Sequence, residues 1–502
     1  MMTGHLSVSE LQSMPKPSPI RLSRRQLLKG SAAALAVAML PRKARAAAQR
    51  LVMNDASRLS PTPVAAHWVV GPNQEAEFIA RLRAELKAAR SEGRPVCVGA
   101  ARHSMGGQSL PRDGTAITFD INRVDPDRSA KTFQVHAGTR WFQVIRALDP
   151  IGFSPAVMQS NSDFGVASTF SVNAHGWPVP YGPFGSTVRK IEMMLADGSV
   201  VTCSRRENAD LFKLAMGGYG LFGVILKLDV EMVENVMLQP TYERLPAPRF
   251  AERFMAAVKD PAVKMLYGRL NVSKSDFFTD SLVISYRAAQ RQPAHLPAFR
   301  DSPAFLSRRV YRRQLKSETG KRVRWFAESR LNPSLGSGLA TRNTLMAEPV
   351  RNLASSNTRY TDILHEYFVP PERFGDFLKA CQDTIVPSGQ EMLNITLRYV
   401  AADSESVMAF APTPRIAGMM SFAQEVSPEG EEGMLRMTEA LIERVADLGG
   451  SFYLPYRLHA RRDQVARIYK NTPAFVEAKR RYDPDLVFRN AIWPAYFAAG
   501  RD

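Results

Sequence analysis

The chain has 502 residues, of which 45% are hydrophobic and 23% are charged, as in an ordinary globular protein. This length favours two or three lobes over one small core, and beyond residue 46 no apolar run approaches the roughly 20 residues that span a bilayer. The formal net charge is +18, but the chain contains no module that reads nucleic acid, and we expect no nucleic-acid partner.

The first 46 residues have the three parts of a removable export signal. Arg24-Arg25 and the following Leu27-Leu28-Lys29 form a basic region, residues 30–40 are apolar, and Ala44-Arg45-Ala46 is a small-x-small cleavage site. The arginine pair resembles a twin-arginine signal, which predicts an exported, periplasmic protein. Because these 46 residues hold eight Lys/Arg and one Asp/Glu, removing them leaves a net charge of about +11.

The next part of the chain, residues 47–235, alternates helical and strand-like patterns. Residues 47–62 have the composition of a linker. In the helix predicted from Glu75 to Arg90, apolar residues recur at positions 78, 82 and 86. The further predicted elements are strands over 95–98, 115–121 and 132–137, a helix over 141–148, a hairpin over 190–203 with its turn at Asp197-Gly198, a helix capped by Asp210 and ending at Met216, and a strand over 224–230.

Residues 236–450 change character, and we interpret them as a separate α+β lobe that covers a substrate. They include a strand-like run at 392–400 and long polar stretches. Residues 451–502 are interpreted as a C-terminal segment that returns to the first lobe, with one helix from Asp463 to Tyr469.

A basic cluster lies inside the middle lobe. It could contact an anionic membrane surface peripherally, bind an acidic substrate, or form a solvated loop. Its members are Arg308, Arg309, Arg312, Arg313, Lys316, Lys321, Arg322 and Arg324.

The three cysteines indicate neither a disulfide framework nor a metal centre. Cys97 and Cys203 lie in apolar strand-like runs, and Cys381 is distant from both in sequence. No pair has the spacing of metal ligands. We expect three free or buried thiols and no metal site.

The most informative stretch follows the strand at 95–98. It is a loop of small residues, Gly99-Ala100-Ala101, followed by Arg102-His103-Ser104. Small side chains let backbone N–H groups face a phosphate at close range, so the loop is a candidate phosphate cradle. The histidine and serine inside it are not explained by a plain turn.

Four separated segments together resemble one family, the vanillyl-alcohol oxidase superfamily of FAD enzymes, which includes aldonolactone, alditol and decaprenylphosphoryl-ribose oxidases. The resemblance covers roughly residues 60–235 and 451–495. It implies an α+β fold with a two-subdomain PCMH-type FAD-binding domain, a cap domain and a C-terminal return. The segments are 101–104 (Ala-Arg-His-Ser), 168–176 (Ser-Thr-Phe-Ser-Val-Asn-Ala-His-Gly) with the hairpin at 196–198, 211–225 with its Gly-Gly-Tyr-Gly, and 481–490 (Arg-Tyr-Asp-Pro-Asp-Leu-Val-Phe-Arg-Asn).

The resemblance implies that FAD is the cofactor and indicates the residues that contact it. The pyrophosphate loop comprises Gly99, Ala100, Ala101, Arg102, His103, Ser104, Gly107 and Gln108. The residues along the ribityl chain are Ser160, Asn161, Gly165 and Ser168, those at the ring are His175, Gly176, Gly223, Val224 and Ile225, and Asn490 belongs to the last segment.

His103 has two interpretations within this resemblance. In family members with this His-Ser pair, a histidine nitrogen is bonded to the flavin 8α-methyl group. The alternative is a histidine that only contacts the phosphate or the ring. Many relatives carry Gly where Arg102 stands, and this difference could shift the loop.

The candidate catalytic residues depart from the family pattern at two positions. Alditol-oxidase-like members have an x-Glu-x-Arg strand and a later lysine. Here Arg398 matches the arginine, but Thr396 replaces the acid and Tyr456 stands where decaprenylphosphoryl-ribose oxidases keep the lysine. His459 is then a candidate base, since histidine titrates near neutral pH, and Tyr456 a candidate donor. Arg398 would hold an anionic oxygen or the flavin edge, or form a salt bridge in the sheet.

We therefore expect an FAD-dependent oxidoreductase that oxidises a hydroxyl of a sugar, polyol or lactone-like substrate by hydride transfer to flavin N5. The electrons would pass to O₂ or to a respiratory acceptor. A flavin-dependent reductase of carbon–carbon double bonds and a non-catalytic flavin-binding surface module are the two alternatives.

Overall fold

The computed structural model describes residues 51–72, 74–299, 314–331, 338–349 and 357–498. The export signal and the basic residues at 308–313 lie outside the described residues. Val52–Asp502 forms one compact unit with a continuous hydrophobic core. Helices and strands are both abundant, and the predicted α+β class is confirmed. No helix within the described ranges is long and apolar enough to cross a membrane.

The first sheet has three parallel strands and carries one long helix. Its order is β3-β5-β4, and helix α1 buries Phe78, Leu82 and Leu86, spaced one turn apart, against the core. The predicted helix is confirmed and ends at Gly93, which adopts a positive φ of 67°. The expected linker is wrong in part, because it contains a short strand. The elements are β1 (Leu51–Met53), β2 (Thr62–Val64), β3 (Ala66–Val70), α1 (Glu75–Glu92), β4 (Val96–Gly99) and β5 (Thr115–Phe119).

The second sheet is antiparallel, in the order β10-β9-β11-β7-β6, with β8 paired to β11. The predicted hairpin is confirmed as β9 and β10, and the predicted helix 141–148 as α2. Asp210 is not a cap: α4 begins one residue before it, after Asn208. The elements are β6 (Val124–Asp127), β7 (Thr132–His136), α2 (Trp141–Leu148), β8 (Phe153–Pro155), α3 (Val166–Ser171), β9 (Val188–Met194), β10 (Val200–Ser204), α4 (Ala209–Ala215) and β11 (Val224–Glu234).

The third sheet has eight antiparallel strands, in the order β15-β12-β14-β13-β17-β18-β16-β19. Helices α8 and α9 pack against each other and bury the phenylalanines and leucines of their apolar faces. The elements are β12 (Met237–Pro246), α5 (Phe250–Lys259), β13 (Val263–Leu270), β14 (Asp280–Ala288), α6 (Glu318–Phe326), β15 (Ala340–Thr341), α7 (Arg342–Met346), β16 (Tyr360–Val369), α8 (Phe374–Ser388), β17 (Glu391–Val400), β18 (Arg415–Glu425), α9 (Pro428–Asp447) and β19 (Ser451–Phe452).

The C-terminal segment has more helix than predicted. Besides α10 (Arg462–Ile468), it forms α11 (Thr472–Tyr482) and a π-helical turn, Trp493–Phe497. The prediction of one helix was wrong because α11 is polar over most of its length and buries little besides Phe475, Ala478 and Lys479. Phe488 forms a parallel bridge with Val96 of β4, so the segment ends at the edge of the first sheet.

The described residues of the basic cluster are not one solvated face. Lys321 is buried and ion-paired with Glu318 and Glu391, and Arg324 is paired with Glu328. Arg322 is exposed. The three cysteines are free and buried, as predicted.

A buried ion pair fastens the C-terminal segment to the second sheet. Lys479 and Asp483 are 2.5 Å apart and almost fully buried. The Lys479 ammonium also donates to the carbonyl oxygens of Leu221 and Phe488, while Asp483 accepts from the backbone N–H groups of Val487 and Phe488. Burial, opposed by the charge of Asp483, lowers the pKa of Lys479 to about 8. Every charged atom of the Lys479–Asp483 pair therefore has a hydrogen-bond partner.

We predict that Lys479→Met destabilises the protein by about 3–5 kcal/mol, because it leaves the Asp483 carboxylate buried without its cation. Thermal unfolding of the purified protein measures the effect. Lys470→Met, at an exposed position nearby, should change little, and Asp483→Asn added to Lys479→Met should recover part of the loss. Equal melting temperatures for Lys479→Met and Lys470→Met would contradict this role.

Candidate functional site

One cavity collects most of the predicted site residues between the loop after β4 and the eight-stranded sheet. Its walls come from the loop, from residues 159–175, from β16, β17 and β18, and from residues 453–456. The predicted residues that line it are Gly99, Ala100, Ala101, Arg102, His103, Ser104, Gln108, Ser160, Asn161, Gly165, Ser168, His175, Arg398 and Tyr456.

The loop is held in place by the C-terminal segment and by the residues that precede β2. The Gln108 amide donates to the carbonyl oxygens of Leu454 and Tyr456, at 3.0 and 2.8 Å, and accepts from Gly106 N–H. The N–H of Gly107 donates to the Asp55 carboxylate at 2.7 Å. The loop conformation is thus fixed from both sides.

Arg102 does not displace the loop. Its φ of 52° lies in the left-handed region that glycine adopts most readily. Its guanidinium turns to the sheet and donates to the carbonyl oxygens of Ser109 and Ile117 and to the Thr118 hydroxyl. These bonds offset the strain of a non-glycine residue at this position. Arg102 therefore lines the cavity, while its guanidinium group ties the loop to the sheet.

His103 faces the cavity, with its ring packed on Phe164 at a centroid distance of 4.4 Å. Burial lowers the pKa of His103; the nearby Asp163 opposes this shift and Arg140 adds to it. The ring is therefore neutral near pH 7 and keeps a free lone pair on one nitrogen.

The wall formed by residues 160–168 has space and polar groups for a ligand. The Ser160 hydroxyl is buried and has no partner in the structure. A Cβ atom on Gly165 would come within 2.7 Å of the Ala100 Cβ, so only glycine keeps this wall apart from the loop. An unsatisfied hydroxyl at the surface of a cavity is typical of a site whose ligand supplies the missing partner.

A second cavity adjoins the first and shares Gly99, Ala100 and Ser168 with it. Its other walls include the predicted Gly223, Val224 and Ile225, with Phe488 from the C-terminal segment. The two cavities together form an elongated site, as a dinucleotide requires.

Three predicted cofactor residues lie outside both cavities. Gly107 uses its N–H on Asp55, as described above. Gly176 is needed for close packing, since a Cβ there would lie 2.3 Å from the Met158 carbonyl oxygen. The Asn490 amide donates to the carbonyl oxygen of Tyr219, a residue that lines the first cavity. The structure gives all three a supporting position and no ligand contact.

Glu366 is a candidate functional residue that the sequence analysis did not name. It lines the cavity with a side chain only 2% exposed, and its Oε1 lies 2.8 Å from His175 Nε2. The Tyr456 hydroxyl lies 3.5 Å from its other oxygen, Oε2. Burial lowers the pKa of Arg398, opposed by the charge of Glu366, and burial raises the pKa of Tyr456 well above its usual value.

The strand register relates Glu366 to Thr396, the position at which the family pattern has an acid. Thr396 on β17 pairs with Met419 on β18, which pairs with Glu366 on β16. Directly opposite residues of antiparallel strands project to the same face, so Glu366 stands in the row of Thr396, two strands away. The signal in the sequence was an acid, Glu366, in the buried second half of the strand Tyr360–Val369, which also holds Asp362.

His459 does not reach the cavity. Its Nε2 lies 2.9 Å from Glu431, its ring stacks on His365, and it is buried behind residues 454–457. Burial lowers the pKa of His459, and Glu431 opposes the shift. The expectation that His459 is the base has no support in this geometry, whereas Glu366 lines the cavity.

The comparisons with known proteins agree with this site. Residues 68–204 match the FAD binding domain family. The chain is 30% identical to cytokinin dehydrogenase 1 of Arabidopsis thaliana over 26% of this chain and 24% of that protein, and 29% identical to cytokinin dehydrogenase 9 of Oryza sativa subsp. japonica over 36% and 35%. It is 31% identical to an alditol oxidase of a Streptomyces species over 29% of this chain and 34% of that protein.

The chain covers between about a quarter and two fifths of the length of these relatives. The matched residues include the loop, Gly165 and the first hairpin strand. The two adjoining cavities, the small residues of the loop that line both and the unsatisfied Ser160 hydroxyl fit a bound dinucleotide. Residues 68–204 therefore form an FAD-binding domain that is similar to the matched parts of the alditol oxidase and the cytokinin dehydrogenases, and the cofactor is FAD.

Proposed function

We propose that the protein is an FAD-dependent oxidoreductase that oxidises a hydroxyl-bearing carbon of a small polyol, sugar or lactone-like substrate. The observation that carries the proposal is the buried carboxylate of Glu366 beside Arg398 and Tyr456, in the same cavity as the FAD loop. When bound, FAD supplies the acceptor for the electron pair and hydrogen that leave the substrate carbon.

In this proposal Glu366 takes the hydroxyl proton. The Nε2–H of His175 donates to its Oε1 and fixes the carboxylate, which leaves Oε2 on the side of Tyr456. The raised pKa of Tyr456 keeps its hydroxyl protonated, so it donates a hydrogen bond and orients the substrate oxygen. The Arg398 guanidinium stabilises negative charge on that oxygen as the proton leaves.

The charge pattern suits an alcohol substrate. The printed names of the relatives include both an alditol oxidase and cytokinin dehydrogenases. Arg398 is buried in the cavity wall and keeps its positive charge at neutral pH. An alcohol oxygen becomes negative as its proton leaves, and this positive charge would stabilise it.

We also propose that residues 1–46 direct export to the periplasm by the twin-arginine route, and that O₂ or a respiratory carrier reoxidises the flavin. The support is the order of basic, apolar and small-residue segments. Export of a folded protein would allow FAD to be loaded before transport.

We predict that Glu366→Gln slows flavin reduction by a sugar alcohol by about 10²–10⁴-fold, the usual contribution of a positioned base. The FAD content should stay unchanged, because Glu366 contacts substrate-side groups. Anaerobic bleaching of the flavin absorbance, followed with a panel of polyols, sugars and aldonolactones, measures the rate.

Glu372→Gln is the matched control, since Glu372 is an exposed acid just beyond the same strand. The flavin of this variant should be reduced by the substrate at the parental rate. The proposal fails if Glu366→Gln is as fast as Glu372→Gln, or if no hydroxyl compound bleaches the parental flavin while an amine does.

A separate prediction concerns His103. Its neutral ring at the cavity wall supports a covalent bond to the flavin. Acid precipitation should then give a yellow pellet from the parental protein, and His103→Ala should release the colour into the supernatant. A yellow supernatant from the parental protein would show that FAD is held without a covalent bond.

A further inference from the structure

Helix α6 and the π-helical turn that continues it, Ala327–Leu331, present apolar side chains to solvent. Val323, Phe326 and Leu331 are 61%, 55% and 43% exposed, respectively. Eight large apolar residues of the described chain are at least 43% exposed, and these three lie within nine residues of one another. Their spacing of three and five residues places them along one side of the helix, so they form a stripe rather than scattered positions.

The opposite side of this helix is anchored, so the stripe is not exposed through loose packing. Lys321 is buried between Glu318 and Glu391, and the Trp325 indole donates to Asp280. The Ser329 hydroxyl donates to the Trp325 carbonyl oxygen. Helix α6 thus buries Lys321 and Trp325 and exposes Val323 and Phe326, whereas a helix that only covers a core buries its apolar residues.

Basic side chains border the stripe. Arg322 and Arg330 are exposed beside Val323 and Phe326. Both arginines line a surface groove of about 460 Å³ with Trp325 and Phe326. The groove also holds Asp276 and the ion pair of Arg244 with Asp280. Apolar side chains flanked by arginines suit the boundary between lipid headgroups and acyl chains, where the arginines meet phosphates.

We infer that this face docks onto an anionic lipid membrane, with Val323, Phe326 and Leu331 entering the headgroup region and Arg322 contacting lipid phosphates. Charge complementarity supports this occupant, because residues 47–502 carry a net charge of about +11. The inference does not depend on the proposed reaction, and the residues are distinct from those that line the FAD cavities.

Sedimentation with vesicles tests this inference. Vesicles of equal parts phosphatidylglycerol and phosphatidylcholine are compared with pure phosphatidylcholine, for the full chain and for residues 47–502. The shorter chain is included because the predicted leader is itself basic and apolar. Binding should require phosphatidylglycerol and weaken at high salt.

In residues 47–502, Val323→Ser with Phe326→Ser should lower the partition coefficient at least about tenfold, and Arg322→Gln about fivefold. The control is Val69→Ser with Val386→Ser, two exposed valines elsewhere, which should bind like the parent. The FAD absorbance and melting temperature of every variant verify that it is folded.

Two outcomes would overturn the inference. One is equal binding by the Val323/Phe326 double variant and the control, or no binding by the parent. The other is a parental dimer in the absence of vesicles that the Val323/Phe326 variant dissociates, which would assign the stripe to a second copy of the chain.

Discussion

The site depends on a contact between residues that are about 350 positions apart in sequence. The amide of Gln108 bridges the cofactor loop to the carbonyl oxygens of Leu454 and Tyr456, and Met105 N–H donates to Pro455. Backbone groups at a loop keep their orientation only when their neighbours are satisfied. Because Tyr456 also lines the substrate side, the same bonds position the loop and a candidate catalytic hydroxyl.

The two parts of the chain that meet at this contact differ in chemical character. The loop and residues 160–175 offer small side chains and unsatisfied donors, whereas β16 and β17 contribute charge through Glu366 and Arg398. Burying both charges would be costly if either were alone. Glu366 is bonded to His175 and its charge acts on Arg398, and in a buried cavity an electrostatic effect on a reacting oxygen is strong.

Much of the cofactor half could be predicted from the sequence, because its signals are local. Glycines, the His-Ser pair and the Asp-Gly hairpin each act within a few residues, and most of the residues they indicated line the cavities. The substrate half was harder to predict, because the position of Glu366 depends on the register of three strands that are distant in sequence. His459 failed as a candidate for the same reason: histidine chemistry does not indicate whether a side chain faces the cavity or Glu431.

The central claim is that the cavity between the loop and residues 160–168 holds FAD, and the FAD content of Gly165→Val tests it most directly. A valine at position 165 would occupy the space that separates Gly165 from Ala100, whereas Gly375→Val should be harmless, because a Cβ on Gly375 would meet no atom within 4 Å. The parental protein and Gly375→Val should be yellow with one FAD per chain, and Gly165→Val should be folded and colourless. A Gly165→Val protein with the parental flavin spectrum, or a parental protein that cannot be loaded with FAD, would contradict the claim.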